Sequence, residues 1–441
     1  MPRELAVIAN EQRVGTLREN HDIWELEYTA EWCASPDGFD LSPALPRSEP
    51  LHRDGSTVRP VQWYFDNLLP EEALRIVFAK EARIPAEDAF GLLDYFGAES
   101  AGALVLVDPA RPVSVEHGLQ PLSLEALSQR IHNLPTVSLT HDAPKKMSLA
   151  GAQHKLLVVL REGQLYEPLP GTPSTHILKP NHVGEDYPAS VVNEYFTMRL
   201  ARALGLPVPR VKRMYAPQPI YLVERFDRRL AGDSADVKRL HVIDTCQLLN
   251  KARNFKYTSA TLDTLAQAIE RCRSKAAARL QLYRWIVFNV LAGNGDNHLK
   301  NISFMVDSSG INIAPAYDLL CTAVYDTRAL ANEKAIWPST GLALRLGDAG
   351  TFAAVTRRHV LDAGQVLGLS QDTAVRHLDH MRNVLLIAAD RLLADIETEL
   401  ARDSAENSKA DDAKRHMAGD LIVLRAMRYI VFTEMGRQLA G

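Results

Sequence analysis

Cysteine is scarce and scattered: Cys33, Cys246, Cys272 and Cys321 form no Cys-x-x-Cys and no zinc-ligand spacing. That excludes a disulfide scaffold and a cysteine zinc site, and it fits a reduced, cytoplasmic compartment. No long apolar run is present either. The most apolar stretch, Trp285 to Gly293, is far short of the roughly 20 residues that a bilayer requires. The opening Met-Pro-Arg-Glu-Leu lacks the apolar core and cleavage pattern of a secretory leader, so a soluble cytoplasmic protein with no membrane partner is expected. Charge of one sign is missing as well. Fifty Lys+Arg against 54 Asp+Glu leave a net charge of −4, which excludes a protein that holds nucleic acid mainly by bulk positive charge. Neither Gly-x-x-x-x-Gly-Lys-Ser/Thr nor Gly-x-Gly-x-x-Gly occurs, and no internal repeat is visible.

What is there is 441 residues of ordinary globular composition, enough for two to three domains with their own cores. Leu5-Ala-Val-Ile-Ala, Arg13-Val-Gly-Thr-Leu and Ile23-Trp-Glu-Leu-Glu-Tyr alternate as short antiparallel strands do. Helices are predicted over Glu71 to Ala79 and Ala86 to Phe96, and a strand over Ser100 to Val107. Residues 1–110 therefore read as a small α/β domain. A second strand-rich stretch holds Lys155 to Leu160, Gln164 to Tyr166 and Thr175 to Lys179. A helix from about Ala189 to Leu204 follows, stopped by Gly205 and Pro207. Pro219 to Phe226 is one more strand, and from about 240 the pattern is mainly helical. Arg402 to Asp420 is a mixed-charge run of the solvated kind. Strands first and helices afterwards suggest a two-lobed molecule.

The strongest local signal is Gly293-Asn-Gly-Asp-Asn-His-Leu-Lys-Asn301, after an apolar helix (Leu280 to Leu291) and before a strand (Ile302 to Val306). A phosphoryl-transfer site needs a carboxylate to take the acceptor's proton and an amide oxygen to help hold Mg²⁺. Asp296 and Asn301, five apart, supply both. The same residues also suit a Gly-Asn-Asp turn that caps its own backbone. Asp318 closes an apolar run from Ile313, where a carboxylate needs a partner; a divalent cation on nucleotide phosphates is one, and a helix cap is the other. Upstream, the small residues of Ser148-Leu-Ala-Gly-Ala-Gln-His-Lys155 let backbone N–H groups approach phosphates, or simply make a turn. Lys179 ends an apolar strand, as a solvent-reaching charge or as a phosphate ligand with Glu194 as its carboxylate partner. The order of these features is that of a protein-kinase-like fold.

Taken together, these residues resemble the HipA family, the serine/threonine kinase toxins of bacterial toxin–antitoxin modules. The resemblance covers nearly the whole chain. It runs through Phe65-Asp-Asn-Leu-Leu-Pro70, Gly97-Ala-Glu-Ser-Ala-Gly-Ala103, Ser148 to Lys155, Thr175 to Lys179 and Asn193-Glu-Tyr. Val223-Glu-Arg-Phe-Asp-Arg-Arg229, Asp244-Thr-Cys-Gln247, Gly295 to Asn301 and Tyr317-Asp318 complete it. It implies a two-lobed α/β (α+β) kinase-like fold: an N-terminal domain over 1–110, a kinase N-lobe over 111–227 and a helical C-lobe over 228–441. The implied cofactors are ATP and Mg²⁺. Asp296 would be the base, Asn301 and Asp318 the metal ligands, Lys179 the phosphate-binding lysine, and Lys300 a neutraliser of the transferring phosphoryl group. The nucleotide would meet Ala150, Gly151, Ala152, Gln153, His154 and Lys155. It would also meet the hinge at Glu224, Arg225 and Phe226, with Gln247, His298, Tyr317 and Asp318. Ser148 matches the serine that these kinases autophosphorylate, which ejects the loop and inactivates the enzyme.

The same resemblance implies a helix-turn-helix antitoxin partner (HipB-like) and a protein substrate; the best-known family target is glutamyl-tRNA synthetase, an aminoacyl-tRNA synthetase. His154 stands where the best-known relatives carry an acid. Residues 347–358 are poor in lysine where some relatives touch operator DNA, so DNA is expected only indirectly, through the antitoxin. Two other readings stay open at this point: a small-molecule phosphotransferase, and a catalytically inactive co-repressor.

Overall fold

The computed structural model of the chain describes residues 2–110, 116–147, 149–230, 237–406 and 411–440. They pack into two compact units. The first holds Met1–Lys179, Glu224–Phe255 and Ser303–Ala314; the second holds Pro180–Val223, Lys256–Ile302 and Pro315–Gly441.

The first unit opens with an antiparallel sheet in the order Leu51–Arg53, Ile23–Tyr28, Gln12–Asn20, Arg3–Ala9, Leu104–Val107. Alternation sends Leu5, Val7, Leu17, Trp24 and Leu26 into the core. Helices Pro60–Asp66, Glu72–Ala82 and Ala89–Phe96 belong to the same unit, and Phe90 meets Trp24 edge-on at 5.2 Å. The last strand begins at Leu104 rather than Ser100 because Gly102, at φ 77°, turns the chain so that its N–H reaches Asp227 at 2.7 Å.

Further strands of this unit run antiparallel in the order His176–Pro180, Leu156–Arg161, Gln164–Pro168, Leu119–Pro121. Their central hairpin turns on Glu162 and Gly163, both at positive φ (51° and 81°), as a two-residue connection matching strand twist requires. His241–Asp244, Ser303–Asp307 and Gly310–Ile313 form a separate three-stranded sheet.

The second unit is mainly helical. Ser190–Ala203 ends at Gly205, which takes φ 81° as a helix-stopping glycine does. Lys275–Leu291 buries every residue from Trp285 to Leu291, so this helix is enclosed on all sides toward its C-terminal end. Its Ile, Val, Phe and Leu side chains each contribute about 1.5–3 kcal/mol of transfer free energy when fully buried. That burial makes the helix the rigid floor from which the Gly293 segment departs. The 36-residue helix Gln371–Glu406 turns Leu378, Met381, Leu385, Ala389, Leu393, Ile396 and Leu400 inward at three-and-four spacing. Part of the mixed-charge run from Arg402 lies in this helix and in Asp411–Ala426; its middle falls outside the described residues.

Candidate active site

The Asp296 loop is tied down on both sides. Asn294 receives the Asp296 N–H (3.1 Å) on its Oδ1 and donates to Asn289 of the buried helix at 2.7 Å. Gly295 donates to Thr322 Oγ1 (2.7 Å) and accepts from the Ala343 N–H (2.9 Å), while Asn297 Oδ1 accepts from Leu344 (3.1 Å). A Cβ on residue 295 would lie 2.6 Å from the Gly341 carbonyl oxygen, so glycine is what lets the loop press against that strand. The Asp296 carbonyl accepts the His298 N–H at 3.0 Å and Asn301 Nδ2 at 2.9 Å. With Nδ2 so committed, the amide oxygen of Asn301 is the atom that could take a metal ligand's part.

The Asp296 carboxylate is open to solvent, and Tyr257 donates its hydroxyl to Oδ1 at 2.8 Å. The walls around it withdraw enough water to push its carboxyl up. His298 and the Tyr257 bond pull it back, Asp318 adds to the rise, and Lys256 opposes it. A base raised in this way is better matched to proton transfer near neutrality than an ordinary aspartate.

Asp318 follows the strand Gly310–Ile313 and adopts φ 56°, a left-handed conformation that costs a non-glycine residue of order 1–3 kcal/mol. Anchors on both sides hold it there. The Ala316 N–H reaches the Pro207 carbonyl at 2.8 Å, and Tyr317 donates its hydroxyl to the Lys300 carbonyl at 2.7 Å. Beyond it, buried Asn193 grips Cys321 twice, accepting its N–H (2.8 Å) and donating to its carbonyl (3.0 Å). Burial holds the Tyr221 phenol far above its ordinary range, and the negative charges of Glu194 and then Asp318 reinforce this. A carboxylate and an amide oxygen, amid the negative charge of Asp296 and Glu194, fit a hard divalent cation. Mg²⁺ draws its other ligands from water and phosphate, so two protein donors suffice.

The expected phosphate-loop residues and Lys179 lie in the first unit. Lys179 is buried on its strand, in the first unit, whereas its expected partner Glu194 lies in the second. Lys155 folds the loop on itself, its ammonium donating to the Ala150 carbonyl at 2.7 Å, and the Gly151 carbonyl accepts the Glu71 N–H at 3.2 Å. Gln153 sits beside Met147, Leu149 and Lys155 in a cavity closed by Leu74 and Phe78. Ser148 lies outside the described residues.

Two of the expected nucleotide-binding residues also have structural partners. The Arg225 N–H is bonded to the Thr175 carbonyl at 2.9 Å. Its guanidinium is buried on Asp227 (2.6 Å), Glu99 (3.3 Å) and the Ser100 carbonyl (2.9 Å). Gln247 is occupied too: it closes a capping box with Asp244 and donates to the Tyr64 carbonyl at 2.9 Å, so its amide fastens a helix start. Glu224 is exposed at the end of the strand Pro219–Glu224, and Phe226, two residues beyond it, is half-buried.

The Gly97–Ala103 and Val223–Arg229 strings thus meet through charge. Glu99 is fully buried and receives Lys145 (2.5 Å), Arg228 (3.0 Å), Arg225 and the Ser174 hydroxyl (2.7 Å). Burial would raise its carboxyl, but Lys145, Arg228, Arg225 and Arg239 together hold it well below the usual range. Sequence reasoning missed this role, as it missed Tyr257 and Lys256 beside Asp296. The available signals were the acid in an otherwise small-residue string and an aromatic–cation pair before a helix.

Comparison with known proteins places these features. Residues 5–107 match the HipA N-terminal domain family, and residues 147–389 match the HipA-like C-terminal domain family. Y4mE of Sinorhizobium fredii strain NGR234, whose name proposes a kinase, is 33% identical across 88% of this chain and 91% of its own. The serine/threonine-protein kinase toxin HipA of Shewanella oneidensis MR-1 is 32% identical across 69% of this chain and 71% of its own. Among solved structures, a chain of the Shewanella oneidensis HipA, HipB and operator DNA complex aligns with a TM-score of 0.73 and 25% identity. That alignment covers 99% of this chain and 100% of the other.

Proposed function

The chain belongs to the HipA family and has its kinase-like α/β fold, and from that premise we propose that it is an ATP- and Mg²⁺-dependent serine/threonine protein kinase acting as a toxin. The observation that carries the reading is the Asp296 loop. It combines a solvent-open, upward-shifted carboxylate, an Asn301 whose amide nitrogen is already committed, and Asp318 held in a left-handed conformation beside them. A structural turn needs none of the three.

In the proposed reaction Asp296 orients the acceptor hydroxyl and takes its proton as the acceptor oxygen bonds to the γ-phosphorus and ADP departs. Asn301 and Asp318 hold Mg²⁺, which supplies charge neutralisation to the phosphates. Lys179 and the 150–155 loop bind phosphate groups, and Lys300 sits in the same loop as Asp296 to face the transferring group. Ser148 is the proposed autophosphorylation site. Phosphate there would repel nucleotide and draw the loop away. A HipB-like helix-turn-helix antitoxin is the proposed partner, since the aligned HipA chain was solved with HipB and operator DNA. A cellular protein is the proposed acceptor, with glutamyl-tRNA synthetase as the family precedent. Among the described residues no helix is long and apolar enough to cross a membrane.

The test is to incubate purified protein with Mg²⁺-ATP and map phosphate by mass spectrometry. Phosphate on Ser148 in the wild type, strongly reduced in Asp296→Asn and Asp318→Ala, supports the reading. Transfer only to small metabolites replaces it with a small-molecule phosphotransferase, and failure to bind ATP replaces it with a non-enzymatic partner protein.

A further inference from the structure

Resting on the kinase reading, we propose that Tyr257 is a positioning residue for phosphoryl transfer, fixing the Asp296 carboxylate so that Oδ2 faces the acceptor hydroxyl. The backbone of Asp296 is already immobile, its N–H on Asn294 and its carbonyl shared by His298 and Asn301. What remains free is rotation of the carboxylate about its own two side-chain bonds. The Tyr257 hydroxyl donates a side-chain hydrogen bond to that carboxylate, taking Oδ1 at 2.8 Å. A carboxylate with one oxygen so held presents the other in a single direction.

The phenol is itself held in place. Its ring meets His298 edge-on, with centroids 4.9 Å apart and planes at 84°, and the Lys256 ammonium lies 5.0 Å from the ring centre. Lys256 is anchored in turn, since its carbonyl accepts the Leu299 N–H at 3.2 Å from within the Asp296–Asn301 loop. One segment therefore grips the loop by its backbone and aims the carboxylate by its side chain. Yet Tyr257 is 44% exposed, unlike the buried tyrosines Tyr221 and Tyr283 of the same unit. Its hydroxyl stands at the solvent-open Asp296 carboxylate, where an acceptor must approach.

The chemical balance leaves the tyrosine unchanged. The acceptor oxygen forms a bond to the γ-phosphorus while the bond from that phosphorus to the bridging oxygen of ADP breaks. The acceptor's proton passes to Asp296 Oδ2, and Tyr257 keeps its own proton throughout.

The test is single-turnover transfer from γ-labelled ATP to the full-length chain itself, with Mg²⁺, in a cycle of four proteins: wild type, Tyr257→Phe, Asp296→Asn and the double variant. Phenylalanine preserves the contact with His298 and removes only the hydroxyl. The transfer rate of Tyr257→Phe should fall about 10- to 100-fold, the loss expected when a reacting group is misaimed, while the ATP concentration for half-saturation stays within about twofold of wild type. In the Asp296→Asn background the same change should cost less than about twofold, because no base is left to aim. Equal losses in both backgrounds would show that Tyr257 acts through the fold. A faster Tyr257→Phe would show that the phenol blocks the acceptor's place, and either result overturns the proposal. A wild type that transfers but is indifferent to phenylalanine removes this role alone; a wild type that transfers nothing removes the kinase reading with it.

Discussion

Replacing Glu99 by glutamine is the most exposed prediction of this structure, because the change keeps shape and removes only charge. Glu99 is 0% exposed and shares a buried cluster with Asp227 and with Lys145, Arg225, Arg228 and Arg239. With glutamine, Asp227 alone would face four buried cations. Breaking a buried pair by removing one partner costs about 3–5 kcal/mol, because the opposite charge is left in a medium that solvates it poorly. Taking m for urea at roughly 2–3 kcal/mol per molar for a unit of this size, the midpoint should fall by about 1–2 M. The assay is equilibrium urea unfolding at pH 7, followed by tryptophan fluorescence; Trp24, Trp32 and Trp63 report on the first unit.

The sign with pH is also determined. Cations hold the folded Glu99 carboxyl below its unfolded value, so its stabilisation is fully present above about pH 4.5 and is lost only as pH falls through the lower folded value. The gap between wild type and Glu99→Gln should therefore be flat from pH 6 to 8 and close in acid. Lys145→Met gives the control. It leaves Glu99 served by three arginines and lowers the excess of positive charge, so it should cost clearly less than Glu99→Gln. A Glu99→Gln midpoint within experimental error of wild type, or a larger loss for Lys145→Met, would falsify the charge argument.

Two further predictions concern single residues. Asp420 is buried beside Arg213 (4.0 Å) and Tyr215 (3.4 Å), and burial pushes its carboxyl up to about 7 despite both of them. Its folded value lies above the unfolded one, so stability falls as pH rises from about 4 to about 7. Asp420→Asn should remove that fall and be more stable at pH 8 by up to roughly 4 kcal/mol, whereas parallel stability–pH curves for the two proteins would refute it. Gly295→Ala would set a Cβ 2.6 Å from the Gly341 carbonyl oxygen. It should lower the phosphoryl-transfer rate by about tenfold or more through loop displacement while circular dichroism stays unchanged; an unaffected rate would mean the loop can shift without harm.

Much of the site lay open in the sequence because its chemistry is local. Asp296 and Asn301 are five positions apart on one loop, and their carbonyl-to-amide bond needs no distant partner. The helix stop at Gly205 and the Glu162-Gly163 turn were legible for the same reason, since a positive φ beside a periodic apolar run has few other causes. The partners of the Arg225 guanidinium were not legible, because this charge pairing crosses the chain. Arg225 and Glu99 lie 126 positions apart, and no spacing rule joins them. The same holds for Gln247, whose amide donates to Tyr64, 183 positions away. Tyr257, 39 positions before Asp296, sits in a polar segment whose pattern announces neither strand nor helix.

By itself the sequence determined the element types, the order of loop, lysine strand, glutamate helix and Asp-x-x-x-x-Asn, and the family those strings belong to. It did so because backbone preference, apolar period and short motifs act over a few residues. Only the tertiary structure decided which charges share a buried cluster, which polar groups are already committed, and which side chain bonds the Asp296 carboxylate. Those outcomes depend on desolvation and on distances between residues far apart in the chain, quantities that exist only once the units have packed.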